Sequence, residues 1–326
     1  MAELAAPQTA MEKLKENLHS FGIILSLLLL CIILTILSPR FLTLDNLMNV
    51  ASQASVNAIV SIGLFLAILT SGIDLSVGSI LALSTMCMGI FAVRLHVNPI
   101  IAMILCLGFG ALIGLINGLL LTKLRLPHPF ISTMGTKQMA RGIALAITAA
   151  QPISGFAPSI NFLGSGRVGP IPVSLFLVAV LYVAMYLFLT RTSTGRYIYA
   201  VGGNKEASRL SGINVNGILN LVYMISGGMA ALAGIVMVGR VDSAYPLAGT
   251  DYETDAIAAV IIGGASFFGG IGKIGNTIVG VLIIAVLRNG LNLLSVNSAL
   301  QTFTIGAVII IAVFIDVLRQ QVMKKK

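Results

Sequence analysis

Charge is scarce in this chain, and negative charge scarcest. Eleven Asp and Glu stand against twenty Lys and Arg in 326 residues, and charged residues make up only 10%. Soluble domains draw about a quarter of their residues from the charged set, so that class is excluded. Tryptophan is absent. The three cysteines, Cys31, Cys87 and Cys106, each sit inside an apolar run without metal-ligand spacing. They read as core packing and do not indicate a disulfide framework. The three histidines, His19, His96 and His128, are far apart and at loops or edges, which argues against a metal or catalytic set. A phosphate-binding loop is missing too. Gly270-Ile-Gly272-Lys-Ile-Gly275 matches G-x-G-x-x-G, but it lies between two apolar segments with no βαβ unit around it. Ile274 also stands where a Walker A loop needs Ser or Thr. Any ATP this protein uses must be bound by another chain.

What the chain has in quantity is apolar surface and glycine. Hydrophobic residues make up 57%, glycine numbers 34, and mean hydropathy is +1.00. This is the composition of a helical membrane protein, in which small residues let helices approach closely. The net charge of +9 does not indicate nucleic acid, because the bases fall mainly in short loops, where they set orientation.

Apolar runs long enough to cross a bilayer of about 30 Å hydrocarbon thickness begin with Phe21–Ser38. No small-x-small cleavage site follows that run before Pro39-Arg40, so it is expected to be a retained span rather than a signal peptide. Nine more candidates follow: Ala51–Thr70, Val77–Val93, Pro99–Thr122, Phe130–Ala150, Ile171–Thr190, Gly217–Gly239, Asp255–Gly269, Asn276–Leu294 and Ala299–Leu318. The expected class is an all-α polytopic membrane protein of about ten transmembrane helices. It divides into a cytoplasmic segment 1–19, one membrane domain 20–319 and a basic cytoplasmic tail 320–326. With both termini in the cytoplasm, thirteen of the twenty bases fall inside, four (Arg40, Arg94, Arg167 and Arg240) outside, and Lys137, Arg141 and Arg288 within spans. That asymmetry supports the orientation.

Buried charge is costly, on insertion scales roughly 2.5–3.5 kcal/mol at the bilayer centre, and so marks partners or pathways. Arg288 and Asn289 in the ninth span and Asn117 in the fourth are candidate pathway residues. Pairing with a neighbour or reaching the interface explains them equally well, and better explains Lys137. In Ser71-Gly-Ile-Asp-Leu-Ser-Val-Gly-Ser79, Asp74 and Ser76 can cap the following helix, or the segment can be a broken helix at a transport site. Gly110-x3-Gly114-x3-Gly118 reads as a packing ridge. On the outer side, 151–170 is rich in proline and glycine and reads as a turn-rich loop. The loop 240–255 carries Asp242, Asp251, Glu253 and Asp255. These acids either serve docking or gating or are simply solvated.

The stretch 191–216 is the longest polar interruption in the second half. It carries Arg191, Arg196, Lys205 and Arg209 against one acid, Glu206. Asn204 is a helix-start residue, Gly212 a stop, and good helix formers lie between them. A short helix on the basic side suits a cytoplasmic partner, and an ordinary connecting loop explains it as well.

Five motifs, in this order, resemble one family: TSGIDLSVGSILAL (70–83), GLINGLLLTKLRLPHPFISTMGT (114–136), ARGIALAITAAQPI (140–153), STGRYIYAVGGNKEASRLSGINV (193–215) and DAIAAVIIGGASFFGGIGKIGNTIVGVLI (255–283). From about Phe41 onward the chain is similar to the membrane permease subunit of bacterial ABC sugar importers of the ribose, xylose, arabinose, galactose, allose and autoinducer-2 type, nearest to ribose and allose permeases. The resemblance implies the ten-helix fold of vitamin-B12-type (type II) importers, in the bacterial inner membrane. It implies a second permease copy, a cytoplasmic ATPase that binds ATP and Mg, a periplasmic sugar-binding protein, and no cofactor or metal on this chain. Glu206-Ala207-Ser208-x3-Gly212 resembles the EAA-x3-G coupling signature, with Ser208 in place of the second alanine. Asn204–Gly212 would then dock in the ATPase. The alternatives are a related permease for branched-chain amino acids or nucleosides and an ion-coupled sugar carrier. The carrier would need intramembrane acids, and only Asp74 offers itself.

Overall fold

The computed structural model describes residues 10–324. The ends of the N-terminal segment and of the basic tail, 1–9 and 325–326, lie outside them. Thirteen α-helices carry the described chain. α1 (Ala10–Leu37), α2 (Leu44–Leu69), α3 (Val77–Gly89), α4 (Pro99–Thr122) and α5 (Pro129–Ala146) form the first half. A wide π turn, Ile90–Arg94, extends α3. α6 (Pro158–Ser165), α7 (Val173–Arg191), α8 (Ser193–Gly203), α9 (Lys205–Leu210) and α10 (Val215–Val241) follow. α11 (Tyr252–Ile262), α12 (Ile274–Leu293) and α13 (Ser298–Lys324) close the chain. The strands are two-residue pieces. β1 (Ile153–Ser154) pairs antiparallel with β4 (Ser243–Ala244), and β2 (Arg167–Val168) with β3 (Ile171–Pro172).

Among the described residues, seven helices are long and apolar enough to cross a membrane: α2, α3 with its π turn, α4, α7, α10, α12 and α13. Residues 21–37 of α1 form a shorter apolar stretch. The sequence leads one to expect about ten. α5 falls outside the seven because Lys137, Gln138 and Arg141 interrupt it, and α11 because it is short. The span expected over Asp255–Gly269 is helical only to Ile262. Gly263 and Gly264 end it, and Gly264 takes a left-handed φ of 86° that side-chain-bearing residues resist. The proline-rich stretch 151–170 is not turn throughout, since it folds α6, with Pro158 at its first position.

Local chemistry sets the starts. Pro99 and Pro129 open α4 and α5. Asn98 Oδ1 accepts from Ile100 N (2.9 Å) and His128 Nδ1 from Phe130 N (3.1 Å). α2 is buried on every side along its second half, which is why it reads as an apolar run without a polar face. α4, α7 and α13 instead leave large apolar side chains exposed, as lipid-facing helices do. The glycine ridge of α4 packs against α10. A Cβ at Gly110 would stand 2.5 Å from Ala231 Cβ, at Gly114 2.1 Å from Tyr223 O, and at Gly118 2.7 Å from Asn220 Cα. The ridge is a packing seam.

Candidate coupling and translocation sites

The polar stretch 191–216 builds three capped helices in succession. Thr192 Oγ1 accepts from Gly195 N (3.0 Å) to start α8, Asn204 Oδ1 from Ala207 N (2.9 Å) to start α9, and Asn214 Oδ1 from Gly217 N (3.0 Å) to start α10. Gly212, at φ 81°, turns the chain out of α9. Ala207 donates the capping amide. Ser208 is buried against the body, and its carbonyl accepts from Ile213 N (3.0 Å). Glu206 pairs with Arg209 at 3.4 Å in full exposure, which holds little. Leu210 at the end of α9 is 88% exposed. Beside it opens a groove of about 690 Å³ whose walls include Arg125, His128, Lys205 and Arg209. Partial burial there pulls the Lys205 ammonium below the ordinary lysine range.

This segment is joined to the interior. Ser71 Oγ lies within hydrogen-bond reach of Phe268 O (2.7 Å) and of Gly202 O (3.1 Å), at the end of α8. Gly270 N donates to Leu69 O (2.9 Å), Tyr199 OH to Gly272 O (2.9 Å), and a Cβ at Gly202 would meet Leu69 O at 1.7 Å. The glycine-rich run 270–275 is therefore a packing turn that lets backbone meet backbone.

Asp74, Ser76 and Asn117 meet in the sealed interior, all fully buried. Asp74 Oδ1 accepts from Ser76 N (3.0 Å) and from the Ser76 hydroxyl, and Oδ2 from Ser226 Oγ (2.7 Å). Asn117 Nδ2 donates to Ser76 Oγ (2.8 Å). Ser76 makes no side-chain cap for α3. Asp74 instead closes a turn on its own backbone two residues on. The knot ties the connection between α2 and α3 to α4 and α10. Thr133 on α5 adds a bond to Ile73 O (3.3 Å).

Toward the opposite end, the four acids of 240–255 separate by role. Arg288 Nε and Nη2 donate to the two oxygens of Asp255, both at 2.7 Å, and Asn289 and Asn46 exchange amide hydrogen bonds at 2.8 and 3.0 Å. Glu253 is buried and paired with Lys137, while Arg141 donates to the carbonyls of Pro246 and Ala248. Asp242, at a left-handed φ of 50°, accepts from Phe156 N (2.9 Å) and Asn161 Nδ2 (3.0 Å), fastening the 151–170 segment to the end of α10. Of the four acids, only Asp251 is exposed and free of a side-chain hydrogen bond. Ser226 carries no signal in the sequence, because a single hydroxyl in the apolar helix α10 breaks no periodicity. Among the described residues no group of three His, Cys, Asp or Glu is gathered to hold a metal.

Residues 46–313 match the family model described as branched-chain amino acid transport system / permease component. The chain belongs to this permease family. It is 45% identical over 297 residues to the ribose import permease protein RbsC of Escherichia coli (strain K12), covering 90% of this chain and 92% of that one. Against RbsC of Bacillus subtilis (strain 168) the identity is 43% over 301 residues, covering 92% and 93%. Against the D-allose transport system permease protein AlsC of Escherichia coli (strain K12) it is 43% over 303 residues, 91% of each. No solved structure matches the chain. This permease is a multi-pass membrane protein and a transport subunit, not an enzyme.

Proposed function

We propose that this chain is the membrane permease subunit of an ATP-driven importer that passes a monosaccharide of the ribose or allose kind into the cytoplasm. The observation that carries this reading is the identity to ribose import permeases, which runs through nine-tenths of both chains. Neither the amino-acid or nucleoside permease nor the ion-coupled carrier is favoured by such relatives.

On this reading α1, α2, α3, α4, α5, α7, α10, α12 and α13 cross the bacterial inner membrane as helices, α11 crosses it together with the 263–273 turn that follows, and both termini are cytoplasmic. α9 is the coupling helix. Its caps hold it rigid, its glycine exit frees its tip, and exposed Leu210 gives a partner ATPase an apolar contact. A second copy of the permease completes the pathway. On α5, Gln138 is exposed and Gly135 and Gly142 have no neighbour within 4 Å of an added Cβ. That narrow polar face suits a route between copies. A periplasmic binding protein delivers sugar to the end where 151–170 and 240–255 meet.

ATP and Mg act on the partner, and ATP closure draws the two α9 helices together. To move the permease from 1:99 to 99:1 between its two states, the partner must favour one by about 5.5 kcal/mol. The test is co-purification of the solubilised protein with its ATPase, with and without Glu206→Arg plus Gly212→Trp. Retention by the wild type and loss in the variant support the reading. Solute uptake by the protein alone, in ion-loaded liposomes, overturns it in favour of the ion-coupled carrier.

A further inference from the structure

Between α2, α10, α11 and α12 lies a pocket of about 210 Å³. It opens where α10 ends and α11 begins, and it reaches Asn57, midway along α2. Counted at the bulk-water share of about 30 Å³ per molecule, it holds roughly seven waters, the space of one small ring. Two guanidinium groups, Arg240 and Arg288, and two carboxylates, Asp251 and Asp255, line it, so its formal charge sums to zero. Arg288 and Asp255 neutralise each other by direct pairing. Arg240 and Asp251 have no ion-pair partner within 4.0 Å among the described residues, so each offers hydrogen bonds to an occupant. Asn57 Oδ1 is buried and accepts from no protein donor. An orphaned acceptor of this kind carries a desolvation cost of about 1–3 kcal/mol, which is relieved when the amide turns toward the pocket and takes a donor from an occupant. Tyr252 and Ile284 give the wall apolar area.

A pocket of zero net charge, dense in both donors and acceptors and faced with some carbon, suits a neutral polyhydroxylated ring. We infer that this pocket is a low-affinity monosaccharide site within each permease subunit, a station for sugar between release from the binding protein and passage inward. This rests on the importer reading above. Weak binding fits the role, because a tight site would slow onward release.

The test is saturation-transfer NMR on the full-length permease in lipid nanodiscs with D-ribose, using sucrose as the oversize control. Uptake of radiolabelled ribose by the assembled importer is measured alongside. Asn57→Leu keeps the number of side-chain heavy atoms and removes the acceptor; Arg240→Met removes the free guanidinium and keeps an unbranched stem. Both variants are used only after they elute and melt like the wild type. The wild type is expected to transfer saturation to ribose and not to sucrose, and each variant to lose at least about tenfold of that signal. Equal signals in wild type and both variants overturn the site. So does no signal in the wild type when the importer takes up ribose. A ribose signal lost in the variants, with no import of ribose or allose by the assembly, keeps the site and sinks the importer reading instead.

Discussion

Arg288 on α12 grips Asp255 on α11 through two parallel hydrogen bonds of 2.7 Å. The fork of the guanidinium matches the carboxylate, which a lysine cannot reproduce. Removing one partner of a buried pair costs about 3–5 kcal/mol. Here the Arg288 side chain is 36% exposed, so Arg288→Met is expected to cost less, about 2–3 kcal/mol. Arg288→Met with Asp255→Leu should recover most of the loss, read as a double-mutant cycle on thermal unfolding in detergent. No recovery would show that the pair contributes through packing alone.

The Ser226 hydroxyl is one of the three donors that hold Asp74. Ser226→Ala leaves Oδ2 without that donor and is expected to destabilise by about 1–3 kcal/mol, the cost of a buried acceptor left unsatisfied. Ser61, also buried, makes no hydrogen bond. Ser61→Ala should therefore be near neutral. Equal losses from the two variants on thermal unfolding would remove Ser226 from the knot.

Gly114 faces Tyr223 O at 2.1 Å from an added Cβ, while Gly108 meets nothing within 4 Å. Gly114→Val should abolish recovery of monodisperse protein. Gly108→Ala should leave yield unchanged or raise it, since alanine favours a helix over glycine by about 1 kcal/mol. A normal yield of Gly114→Val on size exclusion would refute the α4–α10 seam.

Leu210 is exposed and makes no core contact, so Leu210→Ser should change the permease's own stability by less than about 0.5 kcal/mol. ATPase retention and sugar uptake should nevertheless fall, by at least about tenfold if the side chain enters a partner's pocket at a hot spot. Unchanged retention would remove Leu210 from the contact.

Most of this fold was legible because lipid leaves a simple record. α2, α4, α7 and α10 are long apolar runs with any charge confined to their ends, Pro99 and Pro129 open α4 and α5, and Asn204 and Gly212 bound α9. α11 was harder to bound. A helix of 11 residues followed by Gly263-Gly264 looks, in composition, like a longer glycine-rich span. The partners of buried charges were not legible. Arg288 and Asp255 lie 33 residues apart on different helices, and Lys137 and Glu253 lie 116 apart. Only the packing of α11 against α12, and the return of the 240–255 segment over α5, brings them together. The pocket had a fainter signal. Gln53 and Asn57 are one helical turn apart on α2, so they share a face, the only two amides between Ala51 and Leu69.

Leu69 O is the meeting point of three elements. It takes the amide of Gly270, lies against Gly202, and ends the helix whose next turn holds Asp74. Packed backbone is nearly incompressible, so there is no slack at this joint. A thrust arriving along α8 cannot be absorbed there. It would have to be shared between the foot of α2 and the 263–273 turn, two stretches far apart in sequence that this joint fastens together.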